Sequence, residues 1–183
     1  MESIKGHLLI ASSDLPDPNF AQTVVLVVEH DSNGALGIVL NRPSQHPLAD
    51  IWEKVCDEEC DGEEPLGLGG PITGPLMAIH TQMPLSDSQI LPGVYFSTDK
   101  QNLLELVREN RPSYRIFSGY AGWAGGQLDG ELDRGDWLTA PATEELIFDS
   151  GEDLWATMLR TAGKHSLFSV LNIKHIPDDP SLN

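Results

Sequence analysis

Three short stretches of the chain carry residue types that could do chemistry. Asn41-Arg42-Pro43 holds one of only three basic residues in the first half of the sequence. Proline fixes the backbone beside it, and a guanidinium so placed can grip a carboxylate or phosphate in two-pronged fashion. Its competing use is a structural ion pair with one of the many acids. Leu68-Gly69-Gly70-Pro71 pairs two glycines after a short apolar run. Such a pair permits positive φ and lets a ligand or another backbone come close, or simply makes a tight turn. It is not a phosphate loop, because no Gly-Lys-Ser/Thr follows. Gly119-Tyr-Ala-Gly-Trp-Ala-Gly-Gly-Gln127 is the third. With a strand entering and a helix leaving, it would expose backbone N–H groups that favour anions. Tyr120 and Trp123 would stand at its edge, lining a pocket or a partner surface, unless both rings pack into the core. The spacing fails as a dinucleotide signature. The expected binding surface is therefore Asn41, Arg42, Gly69, Gly70, Tyr120, Gly122, Trp123 and Gln127. A protein segment or a small anionic ligand is its expected partner.

Searches for catalytic and metal signatures are mostly negative. There is no Gly-x-Ser-x-Gly elbow and no His-Glu-x-x-His. Cys56 and Cys60 supply half a zinc site, with His46 the only nearby imidazole, and their spacing is not that of a Cys-x-x-Cys redox pair. No metal and no cofactor is expected. No catalytic residue is assigned. In the alternative reading, a small hydrolase or transferase, His30 or His80 is the general base and the glycine stretch stabilises an anion.

The elements that must position these residues are legible in outline. Leu8–Ala11 reads as a buried strand and Ser12–Asn19 as a turn cluster. Thr23–Val28 is the strongest strand signal, and Asn33-Gly34 predicts a hairpin back along Ala35–Leu40. Leu48, Ile51, Trp52 and Val55 share one helix face. The next stretch, residues 57–64, has six acids in eight positions and reads as a solvated loop. Leu66–Pro71 reads as a short strand into a glycine turn, and strands follow at Leu76–Gln82, Val94–Ser97 and Arg115–Ser118. Helices are predicted over 99–109, with Thr98 and Gln101 at capping-box spacing, over 127–132 and over 152–162. Trp137–Pro141 reads as a connection, and Glu144–Phe148 as a short helix or strand. Hairpins precede isolated helices without regular alternation, which favours α+β with a mixed sheet. One domain is expected over residues 1–176, with a frayed tail at 177–183.

Charge narrows the partners. The formal net charge is −17, from 28 acids and 11 bases. Such a field repels nucleic acid and anionic lipid headgroups. The densest basic stretch is Arg108, Arg111 and Arg115, too sparse to neutralise several phosphates. Direct DNA binding is thus disfavoured, and no membrane partner is expected. No basic-then-apolar leader opens the chain, and the longest purely apolar run is Val24–Val28. A cytoplasmic location is expected.

The order of motifs resembles the YqgE/AlgH family. The resemblance rests on Gly6–Ala11, Asp17–Phe20, Val27–His30, Gly34–Pro43, Gly69–Pro71, Gly119–Trp123, Gly126–Leu128 and Trp137–Pro141, eight motifs in order across residues 6–163. It implies a compact α+β domain with a mixed, mostly antiparallel folded sheet flanked by helices. It implies little chemistry, since the family has no settled reaction, cofactor or catalytic set. Its association with transcriptional regulation does not carry over as DNA contact, because no helix-turn-helix is recognisable. The leading expectation is a non-catalytic cytosolic binding or regulatory module.

Overall fold

The computed structural model describes residues 2–49, 52, 65–108, 113–148 and 153–170, without the side chains of 65 and 163–170. The acidic stretch with Cys56 and Cys60, residues 51 and 55 of the expected helix face, Arg111 and the tail after 170 lie outside the described residues. Within them the fold is α+β, a curled and mostly antiparallel sheet of ten strands with four helices. In chain order these are β1 (His7–Ala11), β2 (Val24–Asp31), β3 (Gly34–Val39), β4 (Pro43–Pro47), β5 (Pro65–Leu68), β6 (Ile72–His80), β7 (Ser88–Leu91), β8 (Val94–Ser97), α1 (Lys100–Arg108), β9 (Tyr114–Ala124), α2 (Gln127–Asp133), β10 (Trp137–Pro141), α3 (Glu144–Phe148) and α4 (Leu154–Val170).

The strands run side by side as β10-β1-β2-β3-β9-β6-β8-β7. β5 joins β4 and also lies parallel to β9 at Gly67↔Phe117. Strand β9 is the hinge of the sheet. Its first part, from Tyr114 to Tyr120, pairs with β6, and its last four residues pair with β3.

Alternation in β2 sends Val24, Leu26 and Val28 to one core and Val25 and Val27 to another. The first core also receives Met77, Ile79 and Phe117 from the other half of the sheet and Met158 from α4. The second receives Trp123, Leu128 and Trp137. A third core, with Leu103 and Leu106 of α1, covers the opposite face of β6 and β9. Burial on both faces explains why β1 and β2 read as continuous apolar runs.

Several expectations need correction. Gly119–Trp123 is strand, continuous with Tyr114–Phe117, because inward residues Ala121 and Trp123 keep the period of two. Trp137–Pro141 is strand as well, paired in register with β1. The cap of α1 is Asp99, whose carboxylate accepts from the backbone N–H of Gln101 (2.9 Å) and Asn102 (3.1 Å). Thr98 instead binds Asp87 through its N–H and hydroxyl. β6 starts four residues earlier than its apolar run. The polar, proline-bounded β4 and the short β7 carry no alternation strong enough to read.

Candidate functional site

The three motifs do converge, and they converge on one another. The N–H of Leu68 donates to the Arg42 carbonyl (2.8 Å), and that of Gly69 to the Ser118 carbonyl (2.8 Å). The Val39 N–H donates to the Gly69 carbonyl (2.8 Å). A β-carbon at Gly69 would fall on the Gly119 carbonyl oxygen, and one at Gly70 on the Tyr120 carbonyl. Gly119 has φ +73°, and a β-carbon there would lie 2.7 Å from the Gly70 oxygen. Glycine is therefore required where these chains cross, and the crossing is filled by backbone. Residues 119–124 form no nest of free N–H groups, because they are strand and pair with β6 and β3. Tyr120 packs against the first core and its ring lies against Gly74 and Gly122, on the face opposite Trp123.

Asn41 and Arg42 act on the loop between β1 and β2. The Asn41 side chain accepts from the Val24 N–H (2.9 Å) and donates to the Gln22 carbonyl (2.8 Å). Gln22 is held at φ 58°, a left-handed value costly for a side-chain-bearing residue. The Arg42 guanidinium donates to the carbonyls of Asn19 (2.5 Å), Ala21 (3.3 Å) and Pro18 (3.4 Å). Its fork is occupied within the chain and fixes the loop that carries Phe20.

Phe20 delivers one ring of an aromatic trio. It stacks on Trp123 at 6.0 Å and meets Trp137 edge-on at 5.5 Å, while the two tryptophans meet edge-on at 6.1 Å. Trp123 is the last residue but one of β9 and Trp137 opens β10, with α2 between them. Glu131 of α2 binds both: its Oε2 accepts from the Trp123 indole (2.8 Å) and the Trp137 indole (2.9 Å). Its Oε1 accepts from Gln127 (3.0 Å), whose own oxygen accepts from the Ala124 N–H (3.1 Å). One carboxylate thus locks two rings and the start of a helix.

Beside this trio, between the loop and α2, opens a cleft of about 320 Å³. Phe20, Gly122, Trp123, Gln127 and Trp137 line it, and its charged groups are Asp17, Glu131, Arg134 and Asp136. Arg134 is well exposed and donates to Asp136 through Nε (3.1 Å) and Nη2 (2.7 Å). Three acids against one base leave the lining negative. Of the expected site, the structure brings Gly122, Trp123 and Gln127 to this cleft, with Arg42 behind its wall. Gly69, Gly70 and Tyr120 belong to the crossing. The sequence reading missed Phe20, Glu131, Arg134 and Trp137 as site residues. Phe20 and Trp137 lie in the family motifs, but nothing in their spacing ties residues more than a hundred positions apart.

The histidines of the enzymatic alternative are largely sequestered. His30 accepts the Ile4 N–H at Nδ1 (3.2 Å), and its Nε2 faces Asp129 at 3.6 Å. His80 is fully buried and stacks on Tyr95 at 6.2 Å. Burial pushes its pKa below the ordinary value, against the raising effects of the Asp87 carboxylate and a backbone hydrogen bond with Gln82. Arg115 of the basic stretch is not free either, since it donates to the carbonyls of Ile147 (2.8 Å) and Leu40 (2.6 Å). Among the described residues no three His, Cys, Asp or Glu side chains group as metal ligands, and no helix is long and apolar enough to cross a membrane.

Fold and cleft together define a single α+β domain with a curled antiparallel sheet and an aromatic, acid-lined cleft. The chain belongs to the AlgH-like family, which matches it over residues 8–166. It is 35% identical to a UPF0301 protein of Chlorobaculum tepidum, over 97% of this chain and 95% of that one. A UPF0301 protein of Pseudomonas fluorescens is 38% identical, over 82% and 84%. Among solved structures, AlgH of Pseudomonas aeruginosa superposes with a TM-score of 0.75 at 32% identity, covering 96% of this chain and 98% of that one. The biochemical role of this family is unresolved, and its names specify no reaction.

Proposed function

We propose that the protein is a non-catalytic cytoplasmic binding or regulatory module that holds a cationic side chain of a partner protein segment in the aromatic cleft. The carrying observation is the trio Phe20, Trp123 and Trp137 fixed beside three carboxylates and one committed arginine. Aromatic faces and edges supply apolar contact and cation–π attraction for a lysine stem or a guanidinium plane. Asp17 and Glu131 supply the countercharge left over once Arg134 and Asp136 have paired, and the −17 of the whole chain steers a basic segment toward it. A small anionic ligand is less well served, because Arg42 is spent on carbonyls and Arg134 on Asp136. Asn41 and Arg42 then serve binding indirectly, by holding the wall that bears Phe20.

The test is a titration of the protein with blocked tripeptides centred on lysine, arginine or glutamate, followed by the indole N–H signals of Trp123 and Trp137. Lysine and arginine peptides should move both signals, and paired Asp17→Asn and Asp136→Asn substitutions should weaken the effect severalfold. Equal response to the glutamate peptide, or no response to any, removes this reading.

A further inference from the structure

A second surface, separate in chemistry from the cleft, lies along the free edge of β10. The hydrogen bonds at the two ends of the β1–β10 ladder fix which groups point where. Ser12 N–H donates to the Asp136 carbonyl, and Ala142 N–H donates to the Gly6 carbonyl, each at 3.0–3.1 Å. Both belong to the same register as Leu8↔Ala140 and Ile10↔Leu138. Bonded and non-bonded pairs alternate along an antiparallel ladder. The even positions 136 to 142 therefore face β1. Trp137 and Thr139 turn their N–H and C=O groups outward, and Pro141 turns out a carbonyl alone. Among the described residues nothing pairs with that outward row.

This edge runs through a groove of about 910 Å³. Among the described residues no charged side chain lines it. Ile4 and Leu132 form the wall on the Thr139 side, while Leu146, Met158 and Ala162 form the wall on the side of Leu138 and Ala140. A strand laid along the edge would send successive side chains alternately to the two walls, both apolar.

We propose that this groove takes an extended segment of a partner protein as an added strand, with a run of three or four apolar residues inside the groove and lysine or arginine outside it. The unpaired backbone donors and acceptors specify a strand rather than a helix. The apolar walls specify the run. Pro141, which cannot donate, ends the pairing and keeps it short. The basic flanks follow from charge complementarity with a chain of −17. The same charge argues against a second copy, which would bring −17 to −17.

The experiment is selection of random dodecapeptides displayed on phage against the whole protein, followed by binding of the enriched peptides to Thr139→Pro and Ala162→Arg variants. Neither residue lines the aromatic cleft, so this test is independent of the cationic-side-chain reading. Enriched peptides should share a short apolar run with basic flanks. Thr139→Pro deletes an outward N–H that serves no native bond, and should weaken binding about tenfold, the worth of one or two hydrogen bonds. Ala162→Arg should do so by filling the groove. Backbone N-methylation within the apolar run should abolish binding, and the Trp137 and Thr139 amides should gain exchange protection while Leu138 and Ala140 stay unchanged. If Thr139→Pro fails to fold, Ala162→Arg and the N-methylated peptides decide. No enrichment, enriched peptides indifferent to both variants or to N-methylation, or a dimer in sedimentation that Thr139→Pro splits would each overturn the proposal.

Discussion

The glycine crossing and the aromatic cleft are built on successive parts of one strand, β9, and they use its side chains in opposite ways. At the crossing, Gly69, Gly70 and Gly119 give up side chains so that backbones can touch. At the cleft, four residues further on, Trp123 supplies the largest side chain available, and the polar work passes to Glu131. The crossing is closed because β5, β6 and the Gly69–Gly70 backbone crowd the middle of β9. The cleft is open because the last residues of β9 pair with β3 alone, leaving Gly122 exposed. A glycine-rich motif is thus no guide by itself to a binding loop. Its meaning depends on whether another backbone already occupies the space.

The largest expected effect separates a filled glycine from an open one. Gly70→Ala drives a β-carbon into the Tyr120 carbonyl and should cost about 3 kcal/mol or prevent folding, read by urea denaturation. Gly126→Ala, at φ +73° with nothing within 4 Å of its β-carbon, should cost only about 1 kcal/mol. Equal losses would erase the distinction between filled and open glycines.

Next comes Glu131→Ala, which strands two buried indole N–H groups and should cost about 2–3 kcal/mol. Glu131→Gln keeps an acceptor and should cost about 1 kcal/mol. If the alanine variant melts like wild type, water replaces the carboxylate and the cleft is not rigid.

Arg42→Ala should cost about 1 kcal/mol, since water can reach the released carbonyls, and should raise hydrogen exchange in residues 17–22. Any peptide response of the cleft should fall with it. A lost response with unchanged loop exchange would mean that Arg42 touches the ligand itself.

The smallest effect lies on the crossing's side of the molecule, at the far end of β6. Burial holds the folded pKa of His80 below its unfolded value near 6.5. As pH falls below that value, the unfolded chain takes a proton that the folded chain refuses. Stability should therefore decline from about pH 6.5 downward, until the pH passes the depressed folded pKa. His80→Gln should lack that slope, and a slope that survives the substitution belongs to another group.

Much of the sheet was legible because local pattern and tertiary role agree there. Thr23–Val28 is β-branched and buried on both faces, and the turn after Asp31 closes on Gly34 in register. The α1 helix was legible from Leu103, Leu104 and Val107, though its cap lay one residue later than expected. Trp137–Pro141 was not legible as strand, because its partner β1 lies about 130 positions earlier and only pairing makes it extended. Arg42 looked like a ligand grip because a lone cation among acids suggests one; its carbonyl partners come from a loop about twenty positions back.

By itself the sequence determined the α+β class, the family, the central hairpin and the acidic net charge. These follow from composition, periodicity and motif order, which are local or global sums. Only the tertiary structure decided which glycines are filled, where the Arg42 fork is spent, and that Phe20, Trp123, Glu131 and Trp137 meet. Those facts depend on long-range contacts, whose geometry is set by how the sheet curls rather than by any residue's neighbours in the chain.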